Sequence, residues 1–542
     1  MTGNLHNIIF LCLGLIVCVS LLTVMARKLK IAYPIFLVLA GLFISLIPGV
    51  PAIHLEPELI FIVILPPVLF DAAHEMSLKA LWKWRRIISV MALGYVLFTA
   101  TAVAFVSVWL IPGFTLSQGF LLGAIISPPD ASAVMAVLRY SRLPKGTMAI
   151  LEGESLLNDA TSLTLFRFAL AAITTQHFVW HEAVTGFGLV VVSGVAIGLA
   201  FGGLSYAIYK WLPTDANVDI AISVALPYLM YLSAEAVNSS GVLAVVSGGL
   251  LVAYQTHFVF SHKSRLKSAS LWSSIVFILN AVVFFLIGLQ LPEIIKDLGR
   301  SGLVTATGYA LIITLVVIIV RLISGLFSSV FTTYISRYIT VAAKRPGWRL
   351  PLLSSWAGMR GVVSLASASA IPLLLPDGQG FPHRNLILFI TFMVILVTLI
   401  GQGLSLPWMI RKLDPKPLED LKSDHHQLLE IELELYGVAE KELNLKHKAD
   451  VDKNVLLQYR GEYLSHKREL LKDANSDDGA RQKAMERLDH FSEIMGRVIA
   501  RERHELHAFR RKAEYDDDII AFIEHRLDLE EEQLQRDMDM EN

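Results

Sequence analysis

The sequence predicts an all-α polytopic membrane protein of about 13 transmembrane helices, arranged as two inverted repeats with two unwound crossing helices, plus a cytoplasmic helical tail. Three observations carry this. Of 542 residues, 54% are hydrophobic and the mean hydropathy is +0.55, more apolar surface than a soluble domain needs. The apolar residues fall in stretches of about 17–25, the length that spans a bilayer as a helix. The loops between them alternate between basic and nearly uncharged.

The stretches lie at 7–26, 32–48, 58–75, 87–111, 116–138, 147–174, 183–211, 217–236, 240–255, 269–291, 302–333, 350–375 and 386–410. The first does not read as a cleavable leader. It lacks a basic lead-in and a small-residue cleavage site, and Arg27, Lys28 and Lys30 follow it. It holds the only two cysteines, Cys12 and Cys18, so a disulfide framework is excluded and small core residues are expected. Lys79, Lys83, Arg85 and Arg86 precede the fourth span, Arg139, Arg142 and Lys145 the sixth, and Arg411, Lys412 and Lys416 follow the last. With the loops near Lys210, Arg265 and Arg345, alternate connections carry about twenty-one basic residues against three on the other side. That asymmetry predicts the N-terminus outside and the C-terminus in the cytoplasm, consistent with an odd number of spans.

The formal net charge of −1 hides two halves. Through residue 416 there are roughly 27 Lys and Arg against 16 Asp and Glu; beyond it, roughly 20 against 32. The domains are therefore a transmembrane domain, 1–412, and a cytoplasmic tail, 413–542. The tail has helical spacing of apolar residues at 425–443 and 488–509, with a flexible break expected near 475–479. It reads either as a regulatory or dimer-contact domain or as a solvated appendage.

Charges inside the apolar runs carry the functional signal, because they are costly in hydrocarbon. At 1.5 Å per residue, Asp159 lies about 18 Å into the sixth span, Asp130 about 21 Å into the fifth and Arg360 about 15 Å into the twelfth. All three converge near the midplane, where a transporter's ion site is expected. The helices bearing them are also the interrupted ones. Pro128 and Pro129 directly precede Asp130, and Gly358 and Gly361 bracket Arg360. The fifth and twelfth spans are seven apart, so spans one to six and eight to thirteen would be the two repeats, broken at matching places. Asp71 sits nearer the cytoplasmic end of the third span and could line the entry.

A carboxylate holds either a proton or a small hard cation, and each excludes the other. Asp130, Asp159, Asn158, Ser155 and freed backbone carbonyls offer the oxygen ligands that Na⁺ or K⁺ needs. Competition at one site plus alternating access is antiport. Glu154 and Arg360 read as a buried ion pair, since a lone Arg at that depth needs an acid. Glu152 reads as a funnel residue, Arg167 as a pathway or internally paired residue, and His74 as a pH sensor or an interfacial histidine.

Four strings now form a pattern: EGESLLNDATSLTLF from Glu152, ILPPVLFDAA around Asp71, SGVLAVVSGGLL from Ser240, and GMRGVVSLA around Arg360. Together they closely resemble the NhaP/sodium–hydrogen exchanger group of cation:proton antiporters, over about residues 5 to 412, with the tail outside. The resemblance implies a homodimer of thirteen-helix protomers, each with a dimerisation domain and a six-helix core. It implies Asp159 as the cation and proton carrier, Asp130 at the unwound helix, Ser155 as an oxygen donor, Asp71 as the acid of the third helix, and Glu154–Arg360 as the buried pair. Asn158 before Asp159 implies electroneutral exchange, where an Asp-Asp pair would imply electrogenic exchange. One departure stands: the family's Thr-Asp-Pro-x-Ala-Val is here Pro129-Asp130-Ala131-Ser132-Ala133-Val134, which leaves Ser127 or Ser132 to replace the missing Thr.

The expectation is a secondary antiporter exchanging Na⁺, or K⁺ or Li⁺, for H⁺ in pH and cation homeostasis. It would sit in a plasma membrane, by its compact tail and short loops a bacterial inner membrane. A gated cation channel or an ion-sensing membrane receptor using the same carboxylates is the alternative. No selectivity-filter motif supports the channel, and an Arg at site level argues against it. No nucleophile–base pair, His/Cys metal cluster or phosphate-binding loop is present, so no enzyme activity, cofactor or nucleic-acid partner is expected.

Overall fold

Backbone groups in hydrocarbon must find their hydrogen bonds within the segment, which leaves helix as the default. The computed structural model describes residues 2–47, 58, 60–138, 143–175, 180–212, 214–296, 299–335, 347–375, 378–415, 431, 434–435, 438, 478–512 and 515–539. Among these the only extended pairing is one isolated bridge, Leu374 to Gly380; the rest is helix and connecting turns. The chain divides into two units, residues 1–259 with 270–419, and residues 260–269 with 420–542.

The first unit opens with α1 (Thr2–Leu29) and α2 (Tyr33–Ser45), then a π-helical turn (Ile60–Ile64) running into α3 (Leu65–Glu75). Next come α4 (Leu78–Leu110), α5 (Leu116–Ile126), α6 (Ala131–Leu138), α7 (Lys145–Thr175) and α8 (Trp180–Trp211). The second half holds α9 (Ala216–Ala236), α10 (Gly241–Val259), α11 (His262–Leu289), the short α12 (Leu291–Lys296), α13 (Gly299–Ile335), α14 (Arg349–Trp356), α15 (Val362–Ser369) and α16 (Arg384–Leu413). Nine segments among the described residues are long and apolar enough to cross a membrane, and the protein is an integral membrane protein. The span at 350–375, expected to be interrupted around Arg360, is two half-helices, α14 and α15.

Helix α4 begins well before its apolar run. The run at 87–111 belongs to α4, which starts at Leu78 because the Ser77 hydroxyl accepts from Ala80 N at 3.1 Å and caps the first turn. Those charged turns bury Trp84 and Ile88 and expose Trp82, so an amphipathic lead-in hides from a hydropathy reading. Tight helix contacts rest on small residues: a methyl on Gly119 or Gly123 would strike the backbone of Ala104 or Ala100 on α4.

The second unit pairs α17 (Asp478–Arg511) with α18 (Asp517–Asp539) around Ile499, Leu506, Phe509, Ile520, Ile523 and Leu527. Within it, Asp528 accepts from Arg503 at 2.8 Å and from Arg265 Nε at 2.8 Å, and His262 Nδ1 lies 3.3 Å from Glu531. Most of 425–443 and the residues up to 477 expected at the flexible break lie outside the described residues; α17 begins at Asp478. Cys18 is a free cysteine, and the side chain of Cys12 is outside the described set.

Candidate functional site

Pro128 and Pro129 cannot supply helix hydrogen bonds, so α5 stops at Ile126 and α6 restarts at Ala131. Likewise α14 stops at Trp356 and α15 restarts at Val362. The two breaks meet: Asp130 N donates to Met359 O at 2.7 Å. At this crossing each break caps the other's half-helix. Asp130 Oδ2 accepts from Val362 N, the first residue of α15, at 3.4 Å. Arg360 Nε donates to Ile126 O at 2.9 Å and its Nη2 to Ser127 O at 3.5 Å, at the end of α5. A carboxylate thus faces a helix N-terminus and a guanidinium a C-terminus, the favourable sense for both dipoles. Gly361 is required here, because a methyl would overlap Asp130 Oδ2.

The other oxygen of Asp130, Oδ1, accepts from Ser132 N at 2.8 Å and Ser132 Oγ at 2.6 Å. Ser132, not Ser127, therefore joins the acid; the Ser127 hydroxyl turns back to Ala124 O. From α7, Ser155 Oγ accepts from Ala131 N at 3.1 Å and lies 3.4 Å from Pro129 O, while Asn158 Nδ2 donates to Pro129 O at 3.3 Å. These two polar side chains tie α7 to the unwound segment.

Asp159, one residue on, is 7% exposed, and among the described residues no group donates a hydrogen bond to its carboxylate. It faces a cavity of about 260 Å³ lined also by Asp130, Ser155, Asp71, Glu75 and Glu152. Glu75 is exposed, so the cavity reaches solvent at that end. Asp130, Asp159, Ser155 and Asp71 are thus brought to one cavity; Asn158 is buried behind it, holding the break.

The expected Glu154–Arg360 pair is not formed. Glu154 is held by Arg321 of α13, Nη1 to Oε1 at 2.8 Å and Nη2 to Oε2 at 3.0 Å, with both residues at most 2% exposed. Arg321 Nε also donates to Ser355 O at 3.2 Å. The absence of a side chain at Gly358 makes room, since a methyl there would collide with the Arg321 guanidinium. Arg360 finds backbone carbonyls instead, including that of Gly358. Sequence reasoning missed Arg321, although a lone Arg in the apolar run IIVRLIS is the same signal that singled out Arg360.

Further along α7, Arg167 Nη2 donates to both carboxylate oxygens of Glu235, at 2.6 and 2.7 Å. His74 stacks on Phe70 with ring centroids 6.2 Å apart. A second cavity, of about 280 Å³, is lined by Glu58, Leu163, Thr164, Arg167 and Glu235. Leu163 lies four residues beyond Asp159, so about 6 Å of helix α7 separates the two cavities.

The transmembrane sodium/hydrogen exchanger family model matches residues 14–412. A "Sodium, potassium, lithium and rubidium/H(+) antiporter" of Bacillus pumilus is 35% identical over 401 residues, 72% of this chain and 59% of that protein. The chain thus spans less than two thirds of that relative. An uncharacterized Na⁺/H⁺ exchanger of Mycobacterium tuberculosis is 30% identical over 536 residues, 96% of each chain, so the match there reaches into the tail. The solved structure of the sodium proton antiporter MjNhaP1 from Methanocaldococcus jannaschii superposes with a TM-score of 0.60 at 20% identity, covering 76% of this chain and all of that one. That likeness concerns the fold.

Proposed function

We infer, from the premise that this chain belongs to the sodium/hydrogen exchanger family, a family of transporters rather than enzymes, that it exchanges a monovalent cation for H⁺ with Asp159 as the shared carrier. The observation that carries this is Asp159 itself: a buried carboxylate facing a solvent-reaching cavity with no hydrogen-bonding partner among the described residues. The buried acids on either side of it, Asp130 and Glu154, are engaged. Asp130 is bonded by Ser132 and Val362, and Glu154 by Arg321. A carboxylate left alone at membrane depth needs a counter-charge from outside the protein, and H⁺ and a small cation are the two on offer.

The exchange step is simple. A cation arriving in the cavity displaces the proton from the Asp159 carboxyl group, leaving the ion pair of carboxylate and cation, and the proton leaves by the same opening. Ser155 and Pro129 line the same cavity and offer oxygens to complete the shell, and Asp71, Glu75 and Glu152 raise the local cation concentration at the mouth. Asp159 is neutral overall whether it carries H⁺ or a monovalent cation. With Asn158 rather than a second acid beside it, each crossing moves no net charge, so the exchange is one-for-one and electroneutral. Na⁺ is the first substrate expected; the printed activity of the Bacillus pumilus relative extends the candidates to K⁺, Li⁺ and Rb⁺. An orientation with the N-terminus outside and the tail in the cytoplasm fits the charge pattern of the loops; a homodimer in a bacterial inner membrane is the assembly the family resemblance suggests.

The test is reconstitution in liposomes with a trapped pH dye, wild type and Asp159→Asn side by side, with each cation added outside. Cation-driven proton movement in wild type, insensitive to membrane potential and absent in the variant, is the expected result. Movement that survives Asp159→Asn would remove the carrier assignment.

A further inference from the structure

An antiporter must release its ion on the side of the membrane opposite to entry, so the Asp159 reading, on which this inference rests, requires a second way out. The cavity holding Asp159 is lined from α7 by Glu152, Ser155 and Leu156, all N-terminal to the aspartate. The second cavity is lined from α7 by Leu163, Thr164, Phe166 and Arg167, all C-terminal to it. The segment leading into α3 runs between the two: Glu58, Phe61 and Ile62 line the second cavity, whereas Ile60, Ile64, Leu65, Asp71 and Glu75 line the first. Helix α7 thus places the two cavities on opposite sides of one septum, about one helical turn thick.

The rim of the second cavity is bridged by charge. Arg167 reaches from α7 to Glu235 on the last turn of α9, and Glu235 Oε1 also accepts from Gly241 N at 3.2 Å, at the start of α10. One carboxylate therefore gathers α7, α9 and α10 at the rim. Arg167 is 46% and Glu235 30% exposed. A pair that open to water is worth little, so it can be broken in every transport cycle. Glu154–Arg321, with both partners buried, is the opposite case and cannot serve as a moving part.

We propose that Arg167 and Glu235 form the latch of the exit vestibule. Closed as here, the latch holds α7 against α9 and α10 while Asp159 faces the first cavity. Opening frees the Glu235 carboxylate, and with Glu58 it offers the departing cation a negatively charged path.

The test needs no knowledge of the preferred ion. In a chain carrying C12A and C18A, Thr164→Cys places a thiol inside the vestibule. Adding Arg167→Gln or Glu235→Gln should speed its modification by a membrane-impermeant methanethiosulfonate about fivefold, the population shift expected of an exposed ion pair. The swap Arg167→Glu/Glu235→Arg should slow it again. In the same background, Arg167→Cys/Glu235→Cys closed by a reducible bifunctional thiol reagent should stop cation-driven proton flux, and reductant should restore it. Unchanged Thr164→Cys reactivity in both neutralised variants, or full flux through the cross-linked protein, overturns the latch. Flux that persists in Asp159→Asn would instead overturn the carrier reading, and the thiol reactivities would still report on the latch.

Discussion

Glu154 and Asp159 lie five residues, about 7.5 Å, apart along the same helix, and the fold treats them oppositely. Glu154 is clasped through both oxygens by Arg321; Asp159 receives no hydrogen bond from any described residue. One acid has become part of the scaffold and the other is kept available. Burial alone therefore does not mark a transport residue in this molecule; burial beside a cavity without a partner does.

The comparison is broken most severely at Asp159. Asp159→Asn should lower cation-coupled proton flux by at least about 100-fold, since an amide takes up neither ion. Its melting temperature should be unchanged or raised, because no bond within the protein is lost. A variant that unfolds would place Asp159 with Glu154. Second, Glu154→Gln leaves Arg321 as an uncompensated buried cation and should cost about 3–5 kcal/mol of stability. Thermal unfolding in detergent measures it, and Glu154→Gln/Arg321→Gln should recover part of the loss. Third, Gly361→Ala forces the two breaks apart at Asp130. Flux should fall about tenfold or more in protein that still folds, from the loss of aligned ligands about an ångström out of place. Fourth, Ser155→Ala removes the acceptor for Ala131 N and one candidate cation ligand; apparent cation affinity should weaken about tenfold, with maximal flux less affected.

The smallest effect extends the contrast to the tail, where acids can be compared in water. Burial would raise Glu531, but the hydrogen bond from His262 and the charge of Arg503 outweigh it and hold the carboxyl near about 2. Burial raises Glu502 to about 7, with the Glu530 charge adding to it and Arg526 opposing. The folded value of Glu502 lies above its ordinary 4.5, so its ionisation opposes folding. The stability tied to its neutral form is complete below about 4.5 and is lost as pH rises through about 7. Amide exchange in α17, corrected for intrinsic rates, should thus accelerate between about pH 6 and 8 in wild type and not in Glu502→Gln.

Much of this was legible in the sequence. Apolar length marks the spans, the proline pair marks the first break, and the depth arithmetic brings Asp130, Asp159 and Arg360 to one level. The structure joins the first two at one cavity and Arg360 to the break behind it. What could not be read is which arginine meets Glu154. Periodicity gives depth and facing, but Arg321 and Arg360 compete for the same acid, and the choice is made by a missing side chain at Gly358 on a third segment. Nor could the sequence divide labour between the two aspartates. Asp130 looks as free as Asp159 until the N-terminus of α15 is seen to arrive beside it.

The septum between the two cavities has an electrical meaning. Were water to fill both cavities, with the latch open, the membrane voltage would no longer fall evenly across the bilayer but would collapse onto the dry layer in between, about 6 Å of helix α7. A bare cation crossing that layer would do nearly the full electrical work, about 2.3 kcal/mol for each 100 mV. An aspartate that never crosses without a proton or a cation does none, so a thin barrier costs this protein no leak of charge.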